Sequence, residues 1–140
     1  MSCVYISPAL RQLVHKRAGG RCEYCLIPET TTFASHEIDH IISQKHGGPT
    51  AEGNLALSCV LCNKRKGTDL ASVDPATGQI VQLYHPRRDR WRDHFQLSGT
   101  QIIPLTAIGR ATIQLLQLNH KDRLDERELL LAAEALIIPE

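Results

Sequence analysis

Long apolar runs are missing from this chain. No stretch of its 140 residues approaches the roughly 20 consecutive apolar residues that cross a bilayer as a helix, so no membrane partner is expected. Aromatic residues are scarce, with one Trp, two Phe and three Tyr, and a large core built on stacked rings is excluded. Charge of one sign is also missing. A formal net charge of +1 excludes the strongly basic composition that by itself would point to nucleic acid. There is no internal repeat, no low-complexity tract, and no charged start followed by an apolar stretch in "MSCVYISPAL", hence no secretory signal. The expectation is a single domain of 1–140 that works in the cytoplasm, where a reducing environment disfavours disulfides.

What charge there is lies unevenly. Residues 1–100 carry twelve Lys/Arg against nine Asp/Glu, and residues 101–140 carry four against six. Ser7-Pro8 reads as a capped helix start, and Gly19-Gly20 as its end. Thr30 to Ile38 is rich in strand formers and predicts a strand running into "IDHII". The segment 44–54 holds three glycines and a proline and reads as a loop. "LALSCVLCNKRKG" gives a short apolar piece and a short helix stopped by Gly67. Beyond it, "VDPATGQIVQLYHP" reads as a hairpin turned at Asp74-Pro75 and Gly78. "RRDRWRDHFQL" reads as irregular or strand. Two helices close the chain, about Thr106 to Leu118 and about Asp122 to Leu136; on the second, Leu129, Leu130, Ala133 and Leu136 share a face.

Cysteine is the residue in conspicuous supply. Cys22-x-x-Cys25 and Cys59-x-x-Cys62 form two knuckles separated by 33 residues. Four thiolates presented in pairs suit the tetrahedral preference of zinc, and a structural zinc contributes folding energy outright. Two disulfides conflict with the expected compartment, and neither pair has the βαβ context of a redox motif. Cys3 lies outside the pattern and is taken as a bystander.

Between the knuckles sit Asp39 and His40, then Asn54 after the glycine-rich loop, then Asn63 beside Cys62. A zinc joining the knuckles would draw Asn63 toward Asp39 although they are 24 positions apart. Phosphodiester hydrolysis requires an activated water and stabilisation of the charge that develops on phosphate. A neutral imidazole can take a proton from water near neutral pH. A carboxylate from Asp39 and a neutral carbonyl oxygen from Asn63, completed by waters and phosphate oxygens, suit Mg²⁺.

"EIDHI…GGPTAEGNLALSCVLCNKRKG" resembles the ββα-metal motif of the HNH endonuclease family, in its zinc-bearing branch. The likeness rests on the Asp-His pair, an Asn fourteen residues after the His and a second Asn nine residues later, and it covers about 18–68. More loosely, the stretch from "LYHPRRDRWRDHFQL" to "IIPLTAIGRATIQLLQLN" resembles small stand-alone bacterial HNH proteins. The resemblance implies an α+β fold: a ββα-metal, treble-clef-like core with a structural zinc, preceded by one helix and followed by an extension of about 69–140 with a hairpin and two helices. It implies a metal-dependent endonuclease that hydrolyses DNA, by nicking or by double-strand cleavage. His40 would be the general base, Asp39 and Asn63 the ligands of Mg²⁺ or Mn²⁺, and Asn54 the residue that holds the loop. Many relatives carry His where Asn63 stands.

The alternative is a non-catalytic, zinc-stabilised module that binds nucleic acid, for which His40 would be dispensable. Candidate DNA phosphate contacts are His46 in the loop, Lys64, Arg65 and Lys66 after Asn63, and Arg87 and Arg88 in the basic cluster; Trp91 and Phe95 are expected to pack inward. His36 reads as a strand residue or phosphate contact. Glu37 alternates with Asp39 and reads as solvent-facing or as approaching the metal through water. The C-terminal helices read as core or as the surface of a homodimer.

Overall fold

The computed structural model describes residues 5–140; Cys3 lies outside the described residues. Helix α1 (Pro8–Ala18) begins where the Ser7 hydroxyl accepts from the Leu10 N–H at 3.2 Å, and it ends where Gly19 turns left-handed at φ 63°. Ser7 satisfies one of the open N–H groups of the first turn, Pro8 loses nothing there, and Gly19 adopts the closing conformation without a Cβ penalty.

Strand β1 (Glu37–His40) pairs antiparallel with β2 (Leu55–Ser58), with Glu37 opposite Ser58 and His40 opposite Leu55. The strand expected from Thr30 is therefore much shorter. Glu29–Thr31 coils into a 3₁₀ turn, and β2 offers no partner past Ser58, because Cys59 is already the cap of the next helix. That helix, α2 (Val60–Lys66), starts with the Cys59 sulfur accepting from the Cys62 N–H at 3.4 Å and stops at Gly67, φ 52°.

After α2 come the hairpin β3 (Ala71–Val73) and β4 (Ile80–Gln82), the short helix α3 (Trp91–His94), and the hairpin β5 (Phe95–Ser98) and β6 (Gln101–Pro104). Asp74 anchors the first hairpin: its carboxylate accepts from Ala76 N and Thr77 Oγ1 and takes a two-pronged contact from Arg110 at 2.8 and 2.9 Å. Helix α4 (Ala107–Leu116) is capped by Thr106, and α5 (Lys121–Ala132) by the His120 ring. The fold is mixed α+β, with three two-stranded antiparallel sheets among the described residues.

Two apolar clusters hold these elements. The smaller packs Val14 and Ala18 of α1 on Leu55 and Leu57 of β2. The larger surrounds the four cysteines with Tyr24, Leu26, Ile27, Tyr84, Trp91 and Phe95, closed by Ile102, Leu116, Leu118 and Leu130. Full burial of each such side chain is worth about 1.5–3 kcal/mol relative to exposure. Trp91 and Phe95, whose ring centroids lie 5.1 Å apart, pack inward as expected. Leu26 adopts φ 73°, a left-handed conformation that costs about 1–2 kcal/mol; the turn of the first knuckle and the full burial of its side chain hold it there.

One expected face is different. On α5, Leu129 is 73% exposed, while Arg123, Arg127 and Leu130 point inward. Of the expected face, Leu130 and Leu136 pack on the cysteine cluster and Leu129 and Ala133 do not, and Arg123 and Arg127 fill the rest of the buried stripe.

Candidate active site and metal centre

The two knuckles meet. Knuckle one is closed by Leu26 N–H to Cys22 O at 3.0 Å and Cys22 N–H to Ile27 O at 2.9 Å; knuckle two is the first turn of α2. The sulfurs of Cys22, Cys25, Cys59 and Cys62 all lie within 4.8 Å of one another, and all four residues are buried. Cys25 Sγ is 3.6 Å from Cys59 Sγ, near the ~3.8 Å edge of a tetrahedron with metal–sulfur bonds of about 2.3 Å. All four cysteines are free thiols. The Cys25 and Cys62 N–H groups donate to the sulfurs of Cys22 and Cys59 at 3.5 and 3.4 Å, as charge on sulfur requires. Four buried thiolates this close repel one another, so they can share this place only around a cation. The donor set fits zinc.

Asp39, His40, Asn63, Ser43 and Lys45 line an open cavity of about 620 Å³. His40 is half-buried, and its Nε2 lies 2.9 Å from the Thr50 hydroxyl. Burial lowers the His40 pKa, Asp39 acts against that and Lys66 adds to it; the net direction favours a neutral ring at neutral pH. Thr50 belongs to the loop that Asn54 clamps. The buried Asn54 side-chain amide accepts from Ile42 N at 2.9 Å and donates to Ile42 O and Pro49 O at 2.8 and 2.9 Å, while the Asn54 backbone carbonyl accepts from Ile41 N. Gly48 is required inside this clamp, since a Cβ there would stand 1.7 Å from Ile42 O.

Asp39 is buried and well supplied with partners. Tyr24 donates to its Oδ2 at 2.8 Å, and the Lys66 ammonium sits 3.2 Å from both of its oxygens. Lys66 also donates to the carbonyls of His40 and Ile41 at 3.2 and 3.0 Å. Burial raises the Asp39 pKa, and Lys66 and Tyr24 pull the other way without cancelling it. Asn63 reaches Glu37, with Nδ2 3.4 Å from Oε1; the two share with Asp39 the side of β1 that faces α2.

The remaining candidates scatter. His46, Lys64 and Arg88 are exposed. Arg65 donates to Leu116 O at 3.1 Å, and Arg87 is paired with Glu23. Lys66, expected among phosphate contacts, is 2% exposed, so its ammonium serves Asp39 and the carbonyls of His40 and Ile41 instead. His36 is buried against Ile27 O at 2.8 Å. Residue-by-residue reading missed Thr50, Tyr24 and the burial of Lys66. Lys66 did leave a signal: it lies four residues after Cys62, hence on the same buried face of α2.

A stretch that contains both knuckles, β1, β2 and α2 in this arrangement can be compared with known families. Residues 22–69 match the HNH endonuclease family. The matched segment is about a third of the chain and holds all four cysteines, Asp39, His40, Asn54 and Asn63. No curated protein and no solved structure matches the chain. The HNH segment ends three residues past Lys66, so the hairpins and helices that cover the cysteine cluster lie outside it. The HNH family is one of nucleases and points to nuclease-type chemistry on nucleic acid. No described helix is long and apolar enough to cross a membrane.

Proposed function

We propose that this chain is a metal-dependent DNA endonuclease whose general base is His40, built on a ββα-metal core of about 18–68 within a single domain. The observation that carries the reading is the contact of Thr50 with His40, whose ring lines the open cavity. With Nε2–H donated to Thr50, the Nδ1 lone pair is left to take a proton from water, and the lowered pKa keeps that lone pair available at neutral pH.

Asp39 and Asn63 are the residues we assign to Mg²⁺ or Mn²⁺. A carboxylate offers about four acceptor sites, and Tyr24 and Lys66 engage three of those on Asp39, so Oδ1 retains one. Asn63 uses its amide nitrogen on Glu37, which leaves a neutral carbonyl oxygen. This donor set fits a hard cation that keeps most of its water. When bound, such an ion supplies charge neutralisation at the scissile phosphate. The chain's own residues do the rest: Asn54 fixes the 42–54 loop, Thr50 fixes the ring, and His40 takes the proton as the water oxygen bonds to phosphorus and the P–O3′ bond breaks, the leaving O3′ taking a proton from solvent. The products are 5′-phosphate and 3′-hydroxyl ends. Lys45, Lys64 and Arg88 are the exposed cations, and His46 the exposed imidazole, that we assign to DNA phosphates, through contacts that carry no sequence information.

Asp39's internal partners give some support to the second reading, a non-catalytic zinc-stabilised nucleic-acid module. Incubation with supercoiled plasmid separates the two. Magnesium-dependent nicking that EDTA stops, with ends that a ligase reseals, supports the nuclease; retained DNA binding with no cleavage in Mg²⁺ or Mn²⁺ supports the module.

A further inference from the structure

Helix α5 lies outside the HNH segment, yet it places two arginines against the cysteine cluster. Arg123 is nearly inaccessible, and its Nη1 lies 3.9 Å from Cys59 Sγ. Its Nη2 pairs with Glu126 at 3.1 Å, and its buried Nε has no hydrogen-bond partner. Arg127 is fully buried and donates to the Cys25 carbonyl at 3.3 Å, to Thr100 O at 2.9 Å, and to Leu118 O. These acceptors are neutral, and among the described residues Arg127 forms no ion pair with a carboxylate.

Two guanidiniums taken out of water with one half-buried carboxylate between them would be a heavy cost if the cysteines were neutral. A divalent ion held by four thiolates leaves two negative charges, which two arginines match.

We propose that Arg123 and Arg127 of α5 are part of the metal centre, balancing the charge of a zinc tetrathiolate, so that zinc retention and docking of the C-terminal helix are one linked equilibrium. The proposal rests on reading the four cysteines as a zinc site. Arg123 is a positioning residue that touches a ligand sulfur, and Glu126 works against it by drawing its guanidinium away and by adding negative charge near Cys59. Linkage makes the coupling reciprocal.

The test is competition for zinc between the full-length protein and a chromophoric chelator. Wild type is expected to hold one zinc per chain. Arg123→Gln is expected to weaken zinc binding by about 10- to 100-fold, the range for partners of metal ligands, and Arg123→Lys, which keeps the charge, to recover part of that loss. Glu126→Gln is expected to bind zinc at least as tightly as wild type, and it can be read even if Arg123→Gln does not fold. Equal affinities across the variants would overturn the proposal while leaving the zinc reading intact. Weakening by Glu126→Gln as severe as that by Arg123→Gln would also overturn it, since removing a negative charge near Cys59 would then cost as much as removing a positive one. A wild-type protein that binds no zinc would remove both.

Discussion

Replacing Lys66 with methionine isolates the electrostatics under the candidate active site. The substitution keeps the aliphatic stem of a side chain that is 2% exposed and removes the ammonium from Asp39, 4% exposed. Asp39 would keep Tyr24 as its partner, and the carbonyls of His40 and Ile41 would lose a donor. Breaking a buried pair by removing one member costs about 3–5 kcal/mol. The sign of the pH dependence follows from Asp39. Its folded pKa is already raised by burial, and losing Lys66 raises it further. A carboxyl with a raised folded pKa binds its proton more readily folded than unfolded, so stability falls as pH rises from the unfolded value, near 4, through the folded one. The deficit of Lys66→Met is therefore smallest at the acidic end and grows as pH rises through the raised folded-state pKa of Asp39, by up to ~1.4 kcal/mol per pH unit. Urea unfolding of zinc-loaded protein in magnesium-free buffer, at pH 5, 6.5 and 8, measures it. A deficit that is constant with pH, or a variant as stable as wild type, would refute the reasoning.

Three further outcomes follow from the same geometry. Thr50→Val should slow plasmid nicking by about 10- to 100-fold, the scale of a misplaced catalytic group, with DNA affinity unchanged, and Thr50→Ser should restore it; equal rates for Val and wild type would remove Thr50 from the site. Gly48→Ala should destabilise by about 3 kcal/mol, because its Cβ would meet Ile42 O at 1.7 Å; a melting temperature within a degree of wild type would show that the 42–54 clamp yields easily. Under saturating magnesium, the acidic limb of the cleavage rate should fall below pH ~6.5, since burial lowers the His40 pKa and Lys66 adds to this despite Asp39. A limb above that value would contradict the stated balance.

Local chemistry in the sequence announces much of this fold. Ser7-Pro8 and Gly19 mark α1, Gly67 ends α2, and Asp74 turns the first hairpin, because each acts on the backbone within a few residues. The cysteine spacing places both knuckles at one cluster. The features that stay hidden depend on what lies across the molecule. "NKRKG" reads as a basic surface run, but Lys66 turns inward because a buried carboxylate on β1 waits for it. In the same way Arg123, Arg127 and Leu130 form a stripe at helical spacing, invisible to a search for apolar residues because the surface it covers is a thiol cluster. Thr30 to Ile38 has strand-forming residues but no partner past Ser58. Thr50 looks like any loop threonine until the loop folds back on His40.

The account stands on His40. Its most direct test is the single-turnover nicking rate of supercoiled plasmid by wild type and His40→Ala, prepared side by side, with equal zinc content and equal melting temperature. A general base contributes about 100- to 10,000-fold, so the variant should lose cleavage on that scale while binding DNA as tightly as wild type. Equal nicking by the two proteins, or none by wild type in Mg²⁺ or Mn²⁺, would contradict it.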